Sequence, residues 1–219
     1  MAKEIEVKYI VDMNRIDTSK FQKAKIVTQG YLNTADEHAV RVNIMAPIQL
    51  TGWLKGTIRY NDIASKINVK GPRKGATRDE FEYSIPPKDA LDMINMTKHR
   101  IHKLRLHHES GWDVDIYYGK NFGLVVAEKE YPSEEELKAD TIPEWCVLNV
   151  TDDDRFYNKN LSVTSFQKCS DQAEILERIY GDGGIQEKYV NMECMLMDCM
   201  ETIETHLNKD HMELDIDMN

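Results

Sequence analysis

The chain has 219 residues, 41% of them apolar and 30% charged, with a formal net charge of −10. That balance describes a globular chain long enough for one sizeable core, and its acidity argues against a general nucleic-acid binder. With no run near the ~18 uncharged apolar residues of a membrane span, no signal-like N-terminus and four irregularly spaced cysteines, a cytoplasmic protein with reduced thiols is expected.

In chain order, residues 4–11 begin by alternating charged and apolar side chains with period two, the mark of a strand. Asp17-Thr18-Ser19 is a cap signal, and a short helix is expected at 22–25. Strand alternation returns at 40–44 and 66–70. It resumes at 78–83, after a turn built on Gly71-Pro72 and Gly75. A helix then opens at Pro87, with Ala90, Leu91 and Ile94 facing the body and proline suited to its first turn. Strands are predicted at 103–106, 112–116 and 126–131. Ser133, followed by three glutamates, caps a further helix whose dipole those acids favour. A short helix at 175–180, ended by Gly181-Asp182-Gly183-Gly184, and a longer one at 186–206 complete the chain.

The charge is unevenly placed. Residues 166–219 hold 4 of the 28 Lys/Arg and 13 of the 38 Asp/Glu, a net of −9, with 6 of the 11 methionines. Residues 1–165 keep a net of −1. The expected organisation is therefore a balanced body, 1–165, and an acidic, Met-rich helical extension, 166–219. That extension is open to dimerisation or to a protein partner.

Like charges recur on single strands. Glu4/Glu6, Glu80/Glu82, Asp113/Asp115 and Glu128/Glu130 are paired acids, while Lys66/Lys70 and Lys103/Arg105 are paired bases. At an effective dielectric of about 20, two like unit charges about 4 Å apart repel by about 4 kcal/mol, so a merely solvated face intersperses signs. Closing the sheet would gather these faces inside a barrel, with the apolar phase outward beneath a coat of helices. Lys8, Arg41, Lys66, Lys70, Arg78, Lys103 and Arg105 set against those eight acids leave −1, which two divalent cations would raise to +3. Such an interior attracts a phosphate chain once metal is loaded, and all-carboxylate ligation suits magnesium or manganese.

Glu4-x-Glu6-x-Lys8 resembles the ExExK signature of the CYTH domain, the triphosphate tunnel metalloenzymes. The similarity continues in order through Gln29-Gly30-Tyr31-Leu32, Val40-Arg41-Val42, Asn68-Val69-Lys70-Gly71 and Arg78-x-Glu80-Phe81-Glu82-Tyr83. Ile101-x-Lys103-x-Arg105, Trp112-Asp113-Val114-Asp115, residues 123–130, Val150-Thr151-Asp152 and residues 155–158 follow. The resemblance implies an α+β fold dominated by β: a closed antiparallel eight-stranded tunnel with surrounding helices, to which a helical C-terminal extension is added. It implies hydrolysis of a triphosphate-bearing small molecule, with water attacking the terminal phosphate. Glu4 and Glu6, with Glu128 or Glu130, would bind Mg2+ or Mn2+. Arg41, Lys70, Arg78, Lys103 and Arg105 would grip phosphates, and Glu80, Glu82, Asp113 and Asp115 would be supporting acids. Lys8 would serve the attacking water, by orientation rather than proton abstraction, since Glu6 opposes a depressed pKa.

Two departures stand out. Many members carry a second arginine where this chain has Asn43, which weakens the grip on one phosphate or leaves room for a bulkier substrate group. Residues 46–62 look like an inserted hairpin at the tunnel mouth. Two other functions fit the same scaffold. One is a class IV type adenylate cyclase, which is expected to show a His-Phe element before ExExK that this sequence lacks. The other is a non-catalytic tunnel that binds polyphosphate or nucleotide.

Overall fold

The computed structural model describes residues 5–34, 38–51, 55–71 and 80–216. Glu4 and Arg78 lie outside these segments, and Lys70 and Glu80 are placed by their backbone. The alternating segments become β1 (Ile5–Val11), β3 (Ala39–Leu50) and β5 (Ala64–Lys70), and two strands that the alternation does not announce, β2 (Phe21–Asn33) and β4 (Gly56–Ile58), lie between them. Then follow β6 (Glu80–Ser84), β7 (Arg100–His108), β8 (Asp113–Tyr118), β9 (Val125–Tyr131) and β10 (Cys146–Asn149). All pair antiparallel in one sheet of order β10-β1-β9-β8-β7-β2-β3-β5-β6, with β4 added to β3.

The expected eight strands are thus ten, and among the described residues the end strands β6 and β10 are not hydrogen-bonded to each other. β10 occupies part of the free edge of β1, pairing with Tyr9, Ile10 and Val11, an edge that closure would use. The sheet is nevertheless strongly curled. Tyr31 on β2 senses the charges of Lys8 on β1 and Glu128 on β9, although β1 and β2 would stand roughly 19 Å apart in a flat sheet.

The helix expected at 22–25 is instead the start of the 13-residue β2. The cap signal survives as a single tight turn, Thr18–Lys20, in which the Ser19 amide donates to Asp17 at 3.0 Å. Both edges of β2 are filled, by β3 and β7, and this pairing overrides the local signal. Within residues 46–62, of which 52–54 lie outside the described residues, the end of β3 pairs antiparallel with β4, Ile48 facing Ile58.

Helices cover the apolar face. In α1 (Pro87–Asn95) the buried side chains are Ala90, Leu91 and Ile94. Gly30 lets this helix approach β2, since a Cβ there would meet Ile94 Cγ1 at 3.0 Å and Ile94 Cα at 3.1 Å. Next come α2 (Glu134–Ala139), in which the Glu136 amide donates to Ser133, and α3 (Asn158–Val163). α4 (Gln172–Tyr180) ends at Gly181, whose φ of 75° is easily adopted only without a side chain. The 30-residue α5 (Glu187–Ile216) buries Tyr189, Met192, Leu196, Met200, Ile203 and Leu207. That three-to-four spacing makes one stripe, and it joins the same apolar cluster as Ile26, Leu104, Val114 and Ile116 of the sheet. The extension therefore shares the core of the body. No described helix is long and apolar enough to cross a membrane.

His102 sits on this covered face beside Tyr118 and Thr28, its Nδ1 3.3 Å from Thr28 Oγ1. Burial, helped by Arg100 and Lys120, pushes its pKa down to about 4. The unfolded chain thus takes up a proton that the native imidazole refuses, and stability falls as pH drops from the usual 6.5 towards 4. Urea unfolding should show on the order of 3 kcal/mol lost through this window. His102→Gln should lose correspondingly less, and identical slopes in the two proteins would refute the assignment.

Candidate active site

Directly opposed residues in an antiparallel sheet share a face, so the strand register carries the charged phase across the molecule. Glu6 faces Glu130 and Lys8 faces Glu128 on β1 and β9. Glu128 faces Asp113 on β8, and Asp113 and Asp115 face His107 and Arg105 on β7. Further round, Gln29 and Tyr31 of β2 face Asn43 and Arg41 of β3, which face Lys66 and Asn68 of β5. Asn68 and Lys70 in turn face Glu82 and Glu80 of β6.

The register thus places Glu6, Lys8, Arg41, Lys70, Glu80, Glu82, Lys103, Arg105, Asp113, Asp115, Glu128 and Glu130 on one concave face. Glu4 and Arg78 are the two candidates outside the described residues. The like-signed pairs also find partners. The bases of β7 lie beside the acids of β8, and Lys66 of β5 bonds Glu82 of β6. On these strands, repulsion along one is relieved across the next.

The densest part is a buried ionic network. Asp115, with 0% exposure, accepts from Arg105 Nε at 2.7 Å and Nη2 at 2.6 Å, and also bonds Lys103, which is 1% exposed. Arg105 Nη2 continues to Glu128 Oε2 at 2.6 Å. The other oxygen of Glu128 accepts from Lys8 Nζ at 2.7 Å, and Lys8 reaches Glu6 at 2.9 Å. Asp113 closes the rim, 3.3 Å from Arg105 Nη1 and 2.8 Å from His107 Nδ1.

Each charge is set by its neighbours. Burial pushes the Glu128 carboxyl up, but Lys8, Lys103 and Arg105 outweigh it and hold the group well below the usual carboxylate range. Burial likewise pulls Lys8 down, and Glu128 and Glu6 more than reverse this, keeping the ammonium above its ordinary value. Lys103 is lowered by burial and by Arg105, with Asp115 opposing. Lys8 is thus a fixed donor in this network, which is chemistry for orienting a water or a phosphate oxygen.

Several side chains to which the sequence assigned no role build the same site. Thr151 Oγ1 accepts from the Lys8 amide at 3.0 Å, and the Val150 amide donates to the Lys8 carbonyl at 2.9 Å, so the loop after β10 pins the Lys8 backbone. Tyr117, under Lys103, donates to Asn158 at 2.6 Å. Tyr31, Gln29 and Asn68 continue the inward phase through neutral residues, a signal that a search for charges alone passes over.

Among the described residues no three His, Cys, Asp or Glu side chains converge on a metal position. The donor chemistry still suits a hard cation. Glu6 and Glu130 are acids set directly opposite each other, a costly like-charge placement that a divalent ion relieves.

The chain is 33% identical over 166 residues to the inorganic triphosphatase of Acetivibrio thermocellus, an alignment spanning 74% of this chain and 94% of that protein. The chain belongs to the inorganic triphosphatase family. The crystal structure of the inorganic triphosphatase NE1496 matches with a TM-score of 0.52 at 23% identity, covering 75% of this chain and 97% of the other. This fold likeness agrees with the tunnel architecture, while no protein-family model matches the chain.

Asp115 is the keystone of this triphosphatase-family interior. Asp115→Asn would leave Lys103 and Arg105 under-compensated in a dry site, at a cost of about 3–5 kcal/mol. Urea unfolding should show that loss as a lower midpoint with an unchanged slope. A variant as stable as wild type would show that the network does not need this carboxylate.

Proposed function

We propose that the protein hydrolyses a triphosphate bound along the concave charged face, by attack of water on the terminal phosphate, with a divalent metal. The observation that carries this reading is the set of cations, the buried Lys8 and Lys103 with the partly exposed Arg105, interleaved with carboxylates, in a chain one-third identical to an inorganic triphosphatase. That relative's name favours inorganic tripolyphosphate as the substrate.

Lys103, Arg105 and Arg41, with Lys70 and Arg78, supply phosphate grip. Glu6, Glu128 and Glu130, with Glu4, would hold Mg2+ or Mn2+, and Glu82, Glu80, Asp113 and Asp115 keep the basic residues in place. A bound divalent ion supplies charge neutralisation of the phosphates and a lowered pKa for bound water. Lys8, fixed by Glu128 and Glu6 and by its pinned backbone, orients the attacking water towards phosphorus. Positioning and electrostatic stabilisation are most of what phosphoryl transfer requires. Because Asp115 and Glu128 already neutralise much of the basic charge, a polyanion entering without metal must displace those carboxylates.

Incubation with tripolyphosphate, nucleoside triphosphates or thiamine triphosphate, with Mg2+ or Mn2+, should release phosphate. EDTA should abolish the release. Cyclic AMP from ATP without phosphate would replace hydrolysis by the cyclase reaction, and turnover of none of these would leave a binding protein. Lys8→Ala should lower kcat by about 10²-fold or more with a smaller change in KM. Full activity in that variant would remove Lys8 from the mechanism.

A further inference from the structure

One stretch of the concave face has a polarity that phosphate does not match. Gln29 and Asn43, 6% and 5% exposed, stand directly opposite each other on β2 and β3. Among the described residues Gln29 Oε1 and Asn43 Oδ1 are buried without any hydrogen-bond donor, as is Arg41 Nε without an acceptor. A buried polar atom left in this way costs about 1–3 kcal/mol, so each is normally matched by something. Arg41 suits an anionic oxygen. Two carbonyl oxygens do not.

The orientation of Asn43 follows from a chain of bonds anchored at a carboxylate. Ionised Glu82 can only accept, so Asn68 must turn its Nδ2 towards it, at 2.7 Å. This leaves Asn68 Oδ1 as the atom facing Asn43, which must then present its own Nδ2, also at 2.7 Å. Asn43 Oδ1 is thereby forced to be the acceptor left over. Lys66 and Asn68, bonded to Glu82, hold its carboxyl below the usual range. Reversing either amide would set oxygen against oxygen. A bare cation at these oxygens is disfavoured by Arg41, two residues away on the same face, and by Lys66, directly opposite Asn43.

We propose that Asn43 Oδ1, with Gln29 opposite it, forms an acceptor subsite for an O–H or N–H donor on the triphosphate substrate, and that Glu82 is the positioning residue that orients it through Asn68. The proposal rests on the triphosphatase reading and deepens it. Asn43 on this wall would then select a donor and not a phosphate oxygen. That donor has two sources: a protonated oxygen of a phosphate, or a hydroxyl or amino group of an organic portion of the substrate.

Calorimetry on the full chain with Mg2+ separates them, using methylene-bridged analogues of tripolyphosphate and of ATP that resist hydrolysis. Asn43→Leu should weaken the analogue that supplies the donor about tenfold. Loss with the ATP analogue alone assigns the donor to the nucleoside, and loss with the tripolyphosphate analogue assigns it to a phosphate O–H. Glu82→Gln, at a part-exposed position and so the milder change to the fold, should weaken the same analogue several-fold. It should add nothing in the Asn43→Leu background, because it acts through Asn43. Undiminished binding of both analogues in Asn43→Leu, fully additive effects of the two substitutions, or a wild-type chain that binds neither analogue would overturn the subsite. Binding in the expected pattern by a chain that hydrolyses no triphosphate would refute the proposed reaction and leave the subsite standing.

Discussion

The buried ionic network of Lys8, Lys103, Arg105, Asp115 and Glu128 is the constraint around which the rest of this protein is arranged. Charges so far from water persist only when each is paired with good geometry, and here Arg105 spans both acids while Glu128 joins Arg105 to Lys8. These groups come from four strands, β1, β7, β8 and β9, so their pairing requires the correct register of every one. The same network sets the protonation of Lys8 and Glu128, so that fold and chemistry depend on one set of contacts.

A face built of charge obliges the other face to carry the hydrophobic core. The helices do this, and α5 does much of it, laying Tyr189, Met192, Leu196, Met200, Ile203 and Leu207 in one stripe towards the sheet. The acidic, Met-rich extension is thereby a structural part of the body, with Met192 and Met200 among the side chains it packs into the core. Most of the net charge of −10 lies in the sequence of that extension, which carries −9.

Much of the site was legible because inward residues repeat with period two. Glu6 and Lys8 on β1, Lys103 and Arg105 on β7, and Asp113 and Asp115 on β8 announce both a strand and its charged side. The paired like charges pointed to ligands, but in the structure they satisfy one another across neighbouring strands, a relation that depends on which strands are adjacent. β2 was not announced as a strand at all, and a helix was expected at its start because Asp17-Thr18-Ser19 is a true cap signal, yet it governs only one turn. β10 and β4 are three or four residues long, too short for periodicity to declare them.

The sequence by itself determined the alternation that separates charged from apolar faces, the residue types of the interior, and the ordered motifs that resemble those of triphosphate tunnel proteins. Those are local properties, carried by one strand at a time. Only the tertiary structure decided that the sheet has ten strands, that the extension roofs the core, and that Thr151 pins Lys8. It also decided the direction of the Glu82–Asn68–Asn43 chain. Hydrogen-bond polarity passes between strands distant in sequence, so no single segment can specify it.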